Sequence, residues 1–407
     1  MPRLNAFALA LKSLRHKPLT TAVNLLLMAV GVAMMSFVLS ASQQLEDNAL
    51  RDAQGIDLVV GAKGSPLQLI LSSVYHVDIP TGNIPLAAQA QLQQNRLVKK
   101  VIPLALGDSF KGFRIVGTTT EYVAHYGGEI AQGKMFDGPM QAVLGAHAAA
   151  TTGLTAGSRF VGSHGLGGNG DSDGHGDQPF EVVGVLRPTG SVLDRLVLTP
   201  VESVWQVHEA AHGIDPNDEE AKEAMDADRE LTSLLIQYAS PLAAAMLPRA
   251  VNAQPELQAA QPAFESAKLF RMLGVGVDVL RGIAAIMLLS AALSMFVALY
   301  SALEERKTDL AILRTLGAPP RKLLSLLLVE GLLLAGAGAV LGWLAGHAAL
   351  EILGRLVSDD RGLSLTGLHV APAEAWLVPV ALAVGLAAAL LPALRAYLTD
   401  IATTLSR

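Results

Sequence analysis

The sequence has no cysteine among its 407 residues and is short of charge, with 16% of residues charged against 51% apolar. The absence of cysteine excludes any disulfide framework, and it permits residence in an oxidising compartment without mispairing. A soluble domain carries about a quarter charged residues, so the deficit argues against an ordinary soluble enzyme. It equally excludes a disordered chain, whose signature is low hydrophobicity with high net charge. The formal charge is -6 and no face rich in Lys and Arg is present to neutralise a phosphate backbone, so nucleic acid is excluded as a partner.

The apolar residues are gathered in four blocks. Thr20 to Ser42 and Ile283 to Leu303 carry no charge, Leu323 to Leu350 is interrupted only by Glu330 and His347, and Ala375 to Leu394 is again uncharged. A hydrocarbon core of ~30 Å is spanned by about 20 helical residues, so each block predicts a transmembrane helix. The first block is longer than the ~7–15 apolar residues of a signal peptide and lacks a small-residue cleavage site, so it is read as an uncleaved anchor. Leu231 to Leu247 is apolar but short and contains Pro241, and reads instead as a strand, "TSLLIQY", followed by a proline-initiated helix.

Basic residues set the orientation. Arg3, Lys12, Arg15 and Lys17 precede the first span, Arg306, Lys307, Arg314, Arg321 and Lys322 fill the connection between the second and third, and Arg395 and Arg407 follow the fourth. Both termini and the basic loop are therefore expected in the cytoplasm, with the long segment between the first and second spans outside. The resulting division is a cytoplasmic amphipathic helix (1–19), a first span (20–42), an external domain (43–271), a second span (279–303), a cytoplasmic loop (304–322), a third span (323–350), a short external loop (351–374), a fourth span (375–394) and a cytoplasmic tail (395–407).

The external segment mixes strand-like runs at Gly55, Phe113, Phe180 and Arg195 with helical stretches at Leu86–Asn95, Val201–His212 and Asp218–Arg229, which predicts an α+β domain. Within it, "GSHGLGGNGDSDGHGDQ" from Gly162 to Gln178 reads as a variable hairpin tip; His164, Asp171, Asp173, His175 and Asp177 also form a donor set suited to a metal ion. His208, Glu209 and His212 spell HExxH, which on a helix puts two imidazoles on one face to hold zinc, with the glutamate as general base. Three readings stay open: a zinc protease, a non-catalytic metal site, or a helix with its polar residues in solvent. His76 and Asp78 are expected two residues apart on a strand face.

Bottom-up, the segment Leu303 to Gly331 is a polar stretch, then a short amphipathic helix carrying Leu310, Ile312, Leu313 and Leu316, ended by Gly317 and reset by Pro319 and Pro320. An apolar helix face fixed between two spans suits docking into a groove on a partner protein. This segment resembles the signature of the FtsX-like permease family, which includes MacB-type and lipoprotein-releasing transporters. Glu305, Arg306, Lys307, Asp309, Leu310, Ala311, Ile312, Leu313, Arg314, Thr315, Leu316, Gly317 and Ala318 fit its pattern. The N-terminal stretch, with Leu4, Phe7, Leu11 and Leu14 on one side, is similar to the family's amphipathic start. The tail is similar at Pro392, Ala393, Arg395, Ala396, Asp400 and Leu405, with Ile401 in place of the usual proline, and the external segment looks like a MacB-like periplasmic core domain.

The resemblance implies a non-catalytic permease subunit of an ATP-binding-cassette transporter. ATP and Mg would be bound by a separate cytoplasmic ATPase, met through the coupling residues Glu305 to Gly317. It implies a homodimer or a pair with a related permease, a possible periplasmic binding or adaptor protein, and mechanotransmission in place of a conduit. The chain itself contains no G-x-x-x-x-G-K-[ST] phosphate loop. Glu330, inside the third span, is expected to pair with Arg321 or Lys322, or to act in coupling. Gly338, Gly342 and Gly346 form two GxxxG steps that permit close helix contact, by default within the subunit. Zinc handling, a membrane-anchored HExxH protease and a non-transporting activator of periplasmic hydrolases are the alternatives.

Overall fold

The computed structural model describes residues 6–164, 178–211, 229–305, 319–361 and 365–398. The chain divides into two compact units, one of Met1–Leu45, Leu273–Leu356 and Leu365–Arg407, the other of Glu46–Met272 and Val357–Ser364. The protein is an α-helical membrane protein: among the described residues four helices are long and apolar enough to span a bilayer, with an α+β domain inserted after the first.

The helical unit begins with α1 (Ala6–His16), and the chain turns at Lys17 before Pro18 opens α2 (Pro18–Asp52). Proline suits this first position because the helix makes no use of its missing N–H. The Thr21 hydroxyl donates to the Leu14 carbonyl at 2.8 Å and closes the corner. The other membrane helices are α9 (Pro262–Glu305), α10 (Pro320–Arg361) and α11 (Leu377–Leu398), the last preceded by a 3-10 turn at Pro372–Trp376. α2 runs ten residues past the expected end of the first span, and α9 starts within the segment assigned to the domain. The unit is built on a shared core of Met28, Val32, Ala291, Met295, Leu334, Ala335, Ala339, Ala381 and Ala389. Alanine recurs in it because lipid offers no hydrophobic drive between helices, so close backbone approach contributes to the packing. The outward residues of α9, such as Ile286, Leu289 and Leu293, are apolar and exposed, as a lipid-facing surface requires.

The domain contains β1 (Leu58–Ala62), α3 (Pro66–Ser73), β2 (Ile84–Pro85), α4 (Ala87–Gln93), β3 (Val98–Phe110), β4 (Phe113–Thr118), α5 (Thr120–His125), β5 (Ile130–Gly133), β6 (Gln141–Leu144) and α6 (Ala146–Thr152). It continues with β7 (Arg159–Phe160), β8 (Ser163–His164), β9 (Phe180–Leu186), β10 (Leu196–Pro200), α7 (Val201–Ala211), β11 (Glu230–Leu231), β12 (Ser233–Tyr238), α8 (Pro241–Asn252) and β13 (Leu257–Ala260). The main sheet runs β13-β1-β12-β3-β4-β10-β6-β9-β5. Most pairs are antiparallel, and β10 with β4 and β6 with β9 are parallel. The "TSLLIQY" segment is indeed a central strand followed by a proline-initiated helix. β3 is long enough to serve two halves of the sheet: its first part pairs with β12 and its second with β4, the register shifting between Leu106 and Ser109. Apolar layers cover both faces, one around Ile70, Leu104, Tyr122, Leu193 and Leu198, another around Leu58, Leu92, Leu234 and Leu247.

His76 and Asp78 are not on a strand. The alternating "SVYHVDIP" follows α3 as a turn, with His76 at φ 53° and its side chain buried. Its Nε2 meets the Tyr122 hydroxyl at 3.0 Å, while Asp78 accepts from the Ile79 amide at 2.8 Å. Burial drives the imidazole pKa well below its ordinary value, and the nearby Arg114 and Arg195 push the same way. The same burial lowers Arg114 to about 10 and raises Tyr122.

Candidate functional site

The coupling segment expected from sequence falls largely on residues 306–318, outside the described residues: Arg306, Lys307, Asp309, Leu310, Ile312, Leu313, Arg314, Leu316 and Gly317 all lie there. What the structure gives is the frame at its two ends. Glu305, the last residue of α9, forms an ion pair with Lys17 at the corner between α1 and α2. Five residues earlier on α9, the Tyr300 hydroxyl accepts from Arg395 Nη1 of α11 at 2.6 Å, with the guanidinium 5.2 Å from the ring centroid. On the other side of the segment, Glu330 of α10 is buried and accepts from the Ser13 hydroxyl of α1 at 2.8 Å. One partner of Glu330 thus comes from α1. Arg321 and Lys322 precede it on the same helix by more than two turns, beyond the i,i+3 and i,i+4 spacings at which helical side chains meet. All four long helices and α1 are therefore tied together by polar contacts around the ends of residues 305–320.

Gly338, Gly342 and Gly346 lie along one face of α10 against α2 of the same chain. A Cβ at Gly338 would meet Met28 at 2.7 Å, one at Gly342 would strike the Ala29 carbonyl, and one at Gly346 would sit 2.7 Å from the Ala33 carbonyl. Each glycine is used for close backbone approach, and the seam continues for two helical turns.

At the other end of this seam lies a buried polar cluster that reading the sequence did not anticipate. Glu374, 4% exposed, receives the Trp343 indole N–H at 2.7 Å, the Ser36 hydroxyl at 3.0 Å and His347 Nε2 at 2.7 Å, all on Oε2. Its Oε1 takes the Ala371 amide at 3.1 Å. His347 Nδ1 meets the Gly367 carbonyl at 2.5 Å, so both ring nitrogens have an oxygen partner. One turn on from Ser36, Ser40 bonds the His369 carbonyl at 3.2 Å, and Gln44 exchanges two 2.9 Å bonds with Thr366. Glu351 of α10 caps the same loop through the Gly367 amide at 2.9 Å. Residues 365–371 are thus held to α2 and α10 by fixed hydrogen bonds. The missed signal was an i, i+4, i+8 polar row, Ser36, Ser40 and Gln44, on an otherwise apolar helix, facing Trp343 and His347 at i, i+4 on another.

The residues expected to bind metal fall partly outside the described residues. His208 and Glu209 lie on α7, whereas His212 lies outside the described residues. His164 ends β8, and Asp171, Asp173, His175 and Asp177 also lie outside them. Among the described residues no three His, Cys, Asp or Glu side chains are grouped to hold a metal ion.

Comparison with known proteins matches residues 21–254 to the MacB-like periplasmic core domain and residues 281–400 to the FtsX-like permease C-terminal family. Among solved structures, the periplasmic region of MacB from Actinobacillus actinomycetemcomitans is similar at 12% identity and a TM-score of 0.33, covering 54% of this chain and 95% of that one. The extracellular domain of the noncanonic ABC-type transporter YknZ from Gram-positive bacteria is similar at 15% identity and a TM-score of 0.29, covering 50% of this chain and 99% of that one. No curated protein matches the chain.

Proposed function

The chain belongs to the FtsX-like permease family and carries a MacB-like periplasmic core domain, and from that membership we propose that it is the membrane subunit through which a separate ATPase acts on the periplasm. What supports this reading is that the FtsX-like match, over residues 281–400, includes the segment 305–317, whose sequence repeats leucine at Leu310, Leu313 and Leu316, a spacing suited to a partner groove. ATP and Mg belong to the partner, bound at the inner face of a bacterial inner membrane. Both termini of this chain lie on that same side, and the α+β domain lies opposite.

In this reading, nucleotide-driven closure of two ATPase subunits pushes on the 306–318 segments of two permeases, either copies of this chain or this chain and a relative. The push enters a braced structure. Lys17 with Glu305, Ser13 with Glu330 and Tyr300 with Arg395 join the helices beside the segment, so force there reaches α2, α9, α10 and α11 together. The glycine seam transmits it along α2 and α10 with little compliance, because backbone in contact leaves no side chain to repack. The output is a displacement of the periplasmic domain that moves or extracts a periplasmic or membrane-borne substrate, with a periplasmic binding or adaptor protein as a possible further partner.

The test is co-purification with the ATPase and stimulation of its ATP hydrolysis. Leu313→Asp is expected to abolish both, whereas Glu209→Gln is expected to leave both intact. Loss of function with Glu209→Gln and none with Leu313→Asp would favour the zinc-protease reading instead.

A further inference from the structure

Two helices of the domain lead directly into membrane spans: α2 ends at Asp52, and α9 begins at Pro262. Within the domain they are joined by a short buried chain of polar contacts. Asp52, whose side chain is 6% exposed, receives Arg195 Nη2 on Oδ2 at 2.9 Å and the Val192 amide on Oδ1 at 2.7 Å. The same Arg195 nitrogen donates to the Tyr75 carbonyl at 3.2 Å. The Tyr75 hydroxyl lies 2.5 Å from the hydroxyl of Ser266, five residues into α9, with both residues buried. Two side contacts reinforce the α2 end: Arg51 Nη1 donates to the Gly190 carbonyl at 2.7 Å, and the Tyr126 hydroxyl donates to the Asp52 carbonyl at 2.7 Å.

We propose that Arg195 is a positioning residue that locks the domain ends of α2 and α9 into one body, through Asp52 on one side and Tyr75 with Ser266 on the other. The inference rests on the permease reading above and gives it a mechanical joint. A guanidinium whose side chain is only 14% exposed, and which gives one nitrogen to both a carboxylate and a carbonyl, has little freedom to rearrange, because giving up either partner leaves a desolvated polar group behind. A long helix on its own bends readily, so two helices that deliver one movement to a domain need a cross-tie where they enter it. Arg195 stands at that place, on a 3-10 turn whose Val192 and Leu193 are rooted in the core. Without the tie, movement of either helix would be absorbed by tilting against the other.

The cysteine-free sequence makes the test direct. Cysteines at the exposed Leu50 and Phe264 carry spin labels, and their separation is measured in the full chain, diluted with an excess of unlabelled chain, in lipid nanodiscs without any ATPase. The expected result is one narrow distance, turning into a broad distribution in Arg195→Met and in Tyr75→Phe, which removes only the hydroxyl facing Ser266. Arg187→Met, which breaks the exposed pair with Glu129, is expected to keep the narrow distance. If Arg195→Met does not fold, Tyr75→Phe decides. A narrow distance unchanged in the folded variants overturns the proposal, as does a broad one in the parent chain. Because no ATPase is present, failure here is separate from failure of the permease reading, which shows as a partner ATPase that the chain does not stimulate.

Discussion

The Ser13 hydroxyl reaches across 317 positions of sequence to place a 2.8 Å hydrogen bond on the buried carboxylate of Glu330. The contact pins the amphipathic α1 to α10 next to the segment proposed to meet the ATPase. Ser13→Ala withdraws a donor from a buried carboxylate, so it is expected to cost about 1–3 kcal/mol. Thermal unfolding in detergent checks this as a lowered midpoint, with Ser13→Thr, which restores the hydroxyl, close to the parent.

The Glu374 cluster yields a larger effect. Glu374→Leu leaves the Trp343 indole, the His347 ring, the Ser36 hydroxyl and the Ala371 amide facing an apolar side chain. Four stranded polar groups place the expected cost at about 3 kcal/mol or more. Glu374→Gln keeps one oxygen in place and should lose less. The measurement is the unfolding midpoint followed by tryptophan fluorescence, which also reports Trp343 directly.

For the glycine seam the prediction is steric. Gly342→Val would drive a side chain into the Ala29 carbonyl and Val32, and it is expected to destabilise by about 3 kcal/mol or to prevent assembly of the four helices. Gly336→Ala on the same helix meets only Leu382 at 3.6 Å, so it is expected to be neutral or to gain up to about 1 kcal/mol from helix propensity. Expression and monodispersity of the two variants side by side check the contrast.

His76 gives a pH dependence with a definite sign. Its folded pKa lies well below the ordinary 6.5, so below that pH the unfolded chain takes up a proton that the folded domain refuses. The stabilisation is fully present above about pH 6.5 and is lost as pH falls, at up to ~1.4 kcal/mol per unit until the folded pKa is reached. His76→Asn tolerates the left-handed backbone and does not titrate there, so its stability should fall less between pH 7 and 5 than the parent's.

The spans were legible because length and lack of charge suffice to specify them, and the strands around Leu58, Phe113, Phe180 and Leu196 because apolar β-rich runs bounded by turns do the same. The stretch Val201–Ala211 was legible as a helix, and Pro241 as a helix start. Alternation failed at "SVYHVDIP", where the apolar Val74 and polar His76 are both buried and a positive φ at His76 breaks the strand pattern. The side-chain partners of Glu330, Glu374 and Asp52, such as Ser13, His347 and Arg195, were not legible, because each lies more than 25 positions away and only the fold brings it near. A row such as Ser36, Ser40 and Gln44 announces that something polar faces it, without saying what.

The central claim is that ATP hydrolysis in a partner chain becomes movement of the α+β domain. A spin label on a cysteine at Thr151, exposed on α6, reports the distance between the two domains of a homodimer reconstituted with its ATPase. The account predicts one distance without nucleotide, a different one when ATP is trapped, and no such change in Leu313→Asp. An identical distance in both states, while the partner hydrolyses ATP at a rate the permease stimulates, would contradict it.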